Sequence, residues 1–131
     1  MGNPQLMRPR DISSYRTSVS QQMLYDRWIN ELWTGKRVAE EVVSADFVGH
    51  WPTRDVHGPR QLQTMIDNTR GTLRDLMFVV DVDPIIDGNM VAARWIGTGS
   101  AAAGPARLTG NDILRVAHGR VVEYWSGTSR G

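Results

Sequence analysis

The spacing of apolar residues changes once along this chain of 131 residues, and that change limits the folds open to it. Up to about residue 73, apolar side chains recur three and four positions apart, as in helices that lie on a core. From Leu76 onward they alternate with polar residues, which predicts strands with one buried face. Helices that precede a run of strands indicate an α+β fold with a curved, mostly antiparallel sheet.

The helical part contains two amphipathic helices and a short one between them. Residues 18–34 form the first, and one half of its helical wheel carries Leu24, Tyr25, Trp28, Ile29, Leu32 and Trp33. Residues 37–44 suit the short helix. The third opens at Gly58-Pro59, because proline is tolerated in a first turn. Its apolar stripe consists of Leu62, Met65, Ile66, Thr69 and Leu73.

The strands are predicted at residues 46–51, 76–83, 89–99, 108–117 and 120–126. Asp87-Gly88 is predicted to form a two-residue hairpin turn, and residues 117–119 a three-residue turn. A sheet that carries two amphipathic helices on one face should curl around them. We therefore expect a cone-shaped domain that encloses a pocket.

Composition excludes several classes of protein. The chain has no cysteine, so disulfide scaffolds and thiolate zinc sites are excluded. No run of about 18 apolar residues predicts a membrane span, and 15 basic against 14 acidic residues give no basic excess for nucleic acid. No signal peptide is evident, so a cytoplasmic location is expected. Fourteen arginines against one lysine suggest a bacterial genome rich in GC.

The polar N-terminal segment separates the chain into two parts. Residues 1–17 contain two prolines and no apolar periodicity, so we predict a flexible arm there and one domain over residues 18–131.

Strand register predicts which polar groups face the pocket. In the first hairpin, Val80 should lie opposite Trp95 and Asp81 opposite Arg94, with Val82 facing inward. In the last hairpin, Asp112 should lie opposite Tyr124, and the inward side chains are predicted to be Asp112, Leu114, Val122, Tyr124 and Ser126. A carboxyl group among apolar neighbours would have a raised pKa, as a general acid or base requires.

Several motifs resemble one family over about residues 19–126. They are His50-Trp51-Pro52 at the end of a strand, Val91-Ala-Ala-Arg-Trp95, Leu114-Arg115 and Gly119-Arg-Val-Val-Glu-Tyr-Trp125. Together they resemble the SnoaL-like polyketide cyclases, which belong to the nuclear-transport-factor-2-like superfamily of cone-shaped α+β domains. The superfamily includes enzymes and binding proteins, so the resemblance implies the fold more firmly than the reaction.

The resemblance also implies a place for the acid/base group. In SnoaL-like cyclases the last strand typically reads Glu-x-Trp-Asp, and the aspartate acts as acid/base in ring closure. This chain has Ser126 at that position, and it has Asp112 where such cyclases commonly place a histidine. Limonene epoxide hydrolases share the fold, but Trp95, Gly97 and Ser126 replace their arginine and two aspartates. Ketosteroid isomerases combine an aspartate base with tyrosine and aspartic acid donors, and Asp112 and Tyr124 supply similar groups.

These observations predict a small-molecule-binding protein, with two alternatives for its activity. It is either a cofactor-independent cyclase or isomerase acting on an apolar, polyketide- or steroid-like substrate, or a non-catalytic binding or dimerisation module. Asp112 is the expected base, assisted by His50 and Tyr124. The expected substrate-binding residues are Trp28, Tyr25, Trp95, Met65, Ser126 and Leu114.

The sequence also bears on metal binding and on assembly. His50, Asp55 and His57 form only a weak metal pattern, and neither a metal nor a cofactor is expected. The outer face of the last hairpin carries Trp125 beside an Arg115–Glu123 ion pair. An exposed tryptophan among apolar neighbours predicts a subunit interface, so the chain should form a homodimer.

Overall fold

A six-stranded mixed sheet curves around helices that pack on one of its faces. The structure is a computed structural model that describes residues 9–130 and the side chains of residues 12–129. Along this part of the chain the elements are α1 (Pro9–Asn30), a 3₁₀ turn (Leu32–Thr34), α2 (Ala39–Val42), β1 (Val43–Trp51), β2 (Arg54–His57), α3 (Gly58–Thr72), β3 (Arg74–Asp87), β4 (Met90–Ala101), β5 (Gly104–Ala117) and β6 (Arg120–Arg130).

The sheet has the strand order β2-β1-β6-β5-β4-β3. The β1–β6 pair is parallel, and every other neighbouring pair is antiparallel. The sheet does not close into a barrel, since β2 and β3 are its two edges. Helix α1 packs on β3 and α3 packs on β1, so the core and a cavity lie between the helices and the concave face. The predicted α+β cone is confirmed.

The first helix is longer than predicted at its N-terminal end. It begins at Pro9 rather than at residue 18, and the sequence before residue 18 has no apolar stripe that would mark it as helical. Residues 9–17 are therefore helical. Residues 1–8 lie outside the described residues, so the predicted flexibility of the arm stays a prediction. The C-terminal end agrees better with the predicted end at residue 34. The 3₁₀ turn that follows α1 is capped by Gly35, whose φ of 101° is left-handed.

The sequence prediction did not include β2. Its four residues pair with β1, and only Val56 among them is buried. A strand with a single buried side chain has too little alternation to be recognised from sequence.

The β3–β4 hairpin combines a shifted turn with three irregularities of register, two of which are bulges between Val80 and Ile85. Gly88 and Asn89 form the turn, so Asp87 pairs with Met90. Between Val80 and Ile85, β3 contains two more residues than the paired part of β4, which restores the predicted Val80–Trp95 pair. The bulges also turn Val82 outward, so the prediction that Val82 faces inward was wrong.

The β5–β6 hairpin differs from the predicted register. Its turn has two residues, His118 and Gly119, with φ values of 52° and 74°. A bulge next to the turn adds one residue to β6, so Asp112 lies opposite Ser126 rather than Tyr124. The same bulge turns Val121 into the core, where Val122 was predicted.

Among the described residues, no helix is both long enough and apolar enough to cross a membrane.

Candidate functional site

A partly enclosed cavity of about 220 Å³ lies between the helices and the concave face of the sheet. Both the helices and the sheet contribute side chains to it, and the walls are largely aromatic. The lining side chains are Trp28, Ile29, Trp33, Trp51, Met65, Thr69, Leu76, Phe78, Trp95, Leu108, Asp112, Tyr124 and Thr128. Asp112 is the only carboxyl group among them.

Three donors hold the carboxyl group of Asp112, which is only 1% exposed. The hydroxyl of Tyr124 donates to Oδ1 at 2.6 Å, and the indole Nε1 of Trp95 donates to the same oxygen at 3.0 Å. The hydroxyl of Tyr25 donates to Oδ2 at 2.9 Å. We call these four residues the Asp112 cluster. Because the donors come from α1, β4 and β6, the carboxyl group connects three parts of the fold.

Burial raises the pKa of Asp112 above its usual range, because a buried carboxylate loses the solvation of water. Hydrogen bonds from Tyr124, Trp95 and Tyr25, with a smaller contribution from the side chain of Trp28, favour the ionised form, but they offset only part of this effect. Burial and the nearby Asp112 charge also raise the pKa of Tyr25 and of Tyr124, so both phenols stay protonated donors.

Strand alternation places Asp112 on the concave face between Gly110 and Leu114. Its direct partner on β6 is Ser126, the position of the family aspartate according to the resemblance. Directly paired residues in a sheet have Cβ atoms about 5 Å apart. The carboxyl group of Asp112 therefore lies on the strand next to the expected one, at the same level of the sheet.

Two glycines make room for two of the tryptophan walls. A Cβ atom at Gly110 would overlap the indole ring of Trp95, its direct partner across β4 and β5. A Cβ atom at Gly49 would likewise overlap the ring of Trp51. Each indole therefore occupies space that a Cβ atom would need, and from this position Trp95 donates its hydrogen bond to Asp112.

Five of the predicted site residues line the cavity: Asp112, Tyr124, Trp28, Trp95 and Met65. His50 and three of the expected substrate-binding residues do not. Tyr25 lies behind Asp112 and holds it by a hydrogen bond, and Leu114 is packed in the core. Ser126 is partly exposed, and its hydroxyl lies 3.0 Å from that of Thr128, which does line the cavity. The helical pattern for Tyr25 and strand alternation for Leu114 and Ser126 predicted the inward face, but that face extends beyond the cavity.

His50 was predicted to assist Asp112, but the structure places it on the opposite face of the sheet. Its Nδ1 lies 3.0 Å from Asp55 and its Nε2 lies 2.6 Å from Glu123. Its ring stacks on Trp125 with centroids 5.7 Å apart. His50 is thus part of an outer-face cluster with Asp55, Glu123, Trp125 and Arg115, which forms an ion pair with Glu123. It does not reach the cavity.

Sequence reasoning missed several residues of the cavity wall. Trp33 was predicted on the apolar face of the first helix, but neither it nor Phe78 was proposed as a ligand contact. Trp51 faces inward because the alternation of β1 sends His50 outward, and this signal was available in the sequence. Leu108 and Thr128 lie toward the far ends of β5 and β6, where the curvature of the sheet brings them to the cavity. No local pattern marks them.

A wider groove of about 840 Å³ runs along α1 beside β3. Five of its lining side chains are charged, and Arg27 among them is already paired with Glu31 and Glu41. Because this groove is more open than the cavity and lacks Asp112, the cavity is the better candidate site.

Comparison with protein families gives one match, to the SnoaL-like domain, over residues 25–124. This range spans the elements from α1 to β6 and includes the whole Asp112 cluster. No protein of curated function matches the chain.

Solved structures with the same fold come from several bacteria. A candidate SnoaL-like polyketide cyclase from Jannaschia sp. CCS1 superposes with a TM-score of 0.77 and 18% identity, covering 85% of this chain and 86% of that one. A candidate polyketide cyclase from Bacillus cereus ATCC 10987 gives 0.73 and 24%, covering 81% and 72%. An NTF2-like protein of unknown function from Exiguobacterium sp. 255-15 gives 0.65 and 20%, covering 81% and 98%. At these identities the likeness concerns the fold.

Proposed function

Because this chain belongs to the SnoaL-like domain family, we propose that it binds a small, largely apolar molecule in the aromatic cavity and that Asp112 transfers a proton within that molecule. The observation that carries the proposal is the buried carboxyl group of Asp112 in a largely aromatic and apolar wall. Burying a carboxyl group costs stability unless it is well paired. Such a cost is typical of a group that is present for chemistry.

The Asp112 cluster supports acid/base work in both directions. In its ionised form, Asp112 accepts hydrogen bonds from Tyr25, Tyr124 and Trp95, which hold the carboxylate in one orientation. The raised pKa makes the carboxylate a stronger base, and the protonated form remains available to return the proton. A proton removed from one carbon and returned to another carbon gives isomerisation. In ring closure, the carbanion left by proton removal attacks a carbonyl carbon of the same molecule, the C=O π bond breaks as the new C–C bond forms, and the alkoxide oxygen takes the proton back from Asp112. Neither reaction consumes an oxidant or reductant.

The cavity volume narrows the class of substrate. Ligand pockets for drug-sized molecules usually have about 300–1,000 Å³, and this cavity has about 220 Å³. A molecule of one or two rings suits that volume better than the polycyclic or steroid-like substrate suggested by the sequence. We therefore propose a mono- or bicyclic ligand with one oxygen or other polar group directed at Asp112.

Substitution of Asp112 by asparagine tests the proposed chemistry. The bicyclic ketone 2-tetralone has acidic C–H groups beside its carbonyl, and their exchange in D₂O can be followed by proton NMR. The wild-type protein should accelerate the exchange above the buffer rate. Asp112→Asn should reduce the protein-catalysed rate by about two to four powers of ten, the usual contribution of a positioned base.

The matched control is Asp81→Asn, which removes an exposed carboxyl group on the outer face of the sheet. This variant should exchange 2-tetralone like the wild type. If the ketone binds and Asp112→Asn exchanges it as fast as the wild type, Asp112 is not the base.

A non-catalytic binding module is the second candidate, and the completeness of the Asp112 cluster favours it. A carboxylate with three donors can serve purely as a structural acceptor. In that case Asp112→Asn should destabilise the fold by about 1–3 kcal/mol and leave ligand binding nearly intact. The catalytic role predicts an equal or higher melting temperature, because active-site groups often cost stability.

We also propose that the protein forms a homodimer through the outer face of the sheet. Met77, Val79 and Ile113 are exposed there, and Trp125 lies beside Ile113, its partner across β5 and β6. An apolar surface of this kind on a sheet is typical of subunit contacts. A second copy would cover these side chains and the outer-face cluster around His50.

A further inference from the structure

The aromatic side chains around the cavity form one connected wall. Trp33 is the centre of it, with ring centroids 6.3 Å from Trp28, 6.4 Å from Trp51 and 6.3 Å from Phe78. Phe78 continues to Trp95 at 5.1 Å, and Tyr124 contacts Trp51 at 5.0 Å and Trp28 at 4.8 Å. The ring planes are tilted or perpendicular, so the wall curves around the space instead of stacking flat.

The only charge that the cavity lining can carry is negative. Asp112 is the only lining residue that can carry a full charge near neutral pH, and among the described lining residues there is no lysine, arginine or histidine. An anionic ligand would therefore meet a carboxyl group with no counter-charge. Aromatic rings attract cations through the negative potential over their faces. Both features favour a positively charged ligand.

We propose that the ligand's polar group is an organic cation, a substituted ammonium held between the aromatic wall and Asp112. This inference rests on the proposed function, because it concerns the ligand of the same cavity, and it names the chemical class of that ligand. A quaternary or tertiary ammonium has an apolar surface that suits the wall and a charge that matches the carboxylate.

The proposal also explains how a buried carboxyl group becomes a base. A cation beside Asp112 favours its ionised form, because opposite charges at short range stabilise each other. The other titratable groups facing Asp112 are Tyr25 from α1 and Tyr124 from β6, and both remain neutral donors, while β4 contributes the indole of Trp95. A cationic substrate would thus increase the fraction of Asp112 that is ionised and able to act as a base.

A pair of isosteric probes tests the inference directly. Choline and 3,3-dimethylbutan-1-ol have the same shape, but the quaternary nitrogen of choline is replaced by carbon in the alcohol. Titration calorimetry on the full-length protein should give at least about tenfold tighter binding for choline at pH 8. Choline has no titratable ammonium proton, so its affinity should rise with pH through the ionisation of Asp112 alone. The affinity of the alcohol should not rise.

Two variants test whether Asp112 causes the preference for choline over the alcohol. In Asp112→Asn the ratio of choline to alcohol affinity should fall by about tenfold or more, and in the control Asp81→Asn it should stay unchanged. The pH series on the wild-type protein needs no variant, so it also covers the case in which Asp112→Asn is unstable.

Equal binding of both probes, or tighter binding of the alcohol, would overturn the cation inference and leave the cavity as a small-molecule site. Binding of neither probe would also overturn it, whereas the proposed function is decided by the exchange of 2-tetralone.

Discussion

Asp112 is under two opposing influences, since burial raises its pKa and the donors around it lower that pKa. Because burial is the larger effect, the folded protein binds the Asp112 proton more tightly than the unfolded chain, in which the pKa is near the ordinary 3.8. The contribution of this group to stability is therefore complete below about pH 3.8 and is lost as the pH rises through the higher folded pKa.

The first prediction follows from the upward shift of the Asp112 pKa on folding. As the pH rises from below 4 toward neutrality, the free energy of unfolding of the wild type should decrease relative to that of Asp112→Asn. Urea titrations at a series of pH values measure the difference. A difference that is constant with pH, or that changes in favour of the wild type, would show that the donors outweigh burial.

Gly110 provides the second prediction at this scale. In Gly110→Ala the new methyl group would overlap the ring of Trp95, which must move and lose its hydrogen bond to Asp112. Small-to-large changes in a packed region typically cost about 1–3 kcal/mol, so thermal unfolding should occur at lower temperature, with altered tryptophan fluorescence. Gly71→Ala is the control, because nothing lies within 4 Å of its added Cβ in helix α3. It should be neutral or slightly stabilising.

At the scale of elements, the bulges of β3 and β6 decide which side chains face inward. A bulge inserts a residue and reverses the alternation beyond it. In β6 the bulge lies between Val121 and Glu123, so Val121 is fully buried while Val122 is partly exposed. Beyond it the alternation agrees again with the sequence prediction, and this is why Tyr124 still faces the cavity.

A matched pair of valine variants tests this assignment. Val121→Ala should destabilise the protein by about 2 kcal/mol, since it removes two buried methyl groups and leaves a cavity. Val122→Ala should cost less than half as much. Chemical denaturation of both variants measures the contrast. The reverse order would mean that the alternative register, with Val122 inward, is correct.

At the scale of the whole molecule, the two faces of the sheet differ in what covers them. The concave face is covered by α1 and α3, and it encloses the cavity. The convex face leaves Met77 and Val79 about two-thirds exposed, and Ile113 nearly half exposed. The uncovered apolar residues lie close to the centre of the sheet as well as on edge strand β3, so an interface there would extend across several strands.

The fourth prediction concerns this interface. The protein at micromolar concentration should scatter light with about twice the chain mass of 14.7 kDa, because two-fold dimers are the commonest assemblies. The double variant Val79→Arg/Ile113→Arg should give a monomer with its fold retained. The control Met23→Arg changes an equally exposed side chain on α1 and should remain dimeric. A monomeric wild-type protein would contradict the proposed homodimer.

The sequence by itself determined the fold class, the family and the faces of most side chains. The two apolar periods predicted helices on a curved sheet, and alternation placed Asp112, Tyr124 and Trp95 on the concave side. These features are local, because the direction of a side chain in a helix or strand follows from its position in a short repeat. The same locality allowed the alternation of β1 to separate Trp51 from His50, although the site prediction did not use it.

Only the tertiary structure decided which of these residues meet. Tyr25 and Asp112 are 87 positions apart, and their hydrogen bond exists because α1 crosses the concave face at the level of Asp112. The glycines under Trp51 and Trp95, the bulges and the curvature of the sheet set the size of the cavity. Such features depend on how volumes fill the space between distant segments, and no repeat along the chain records that volume.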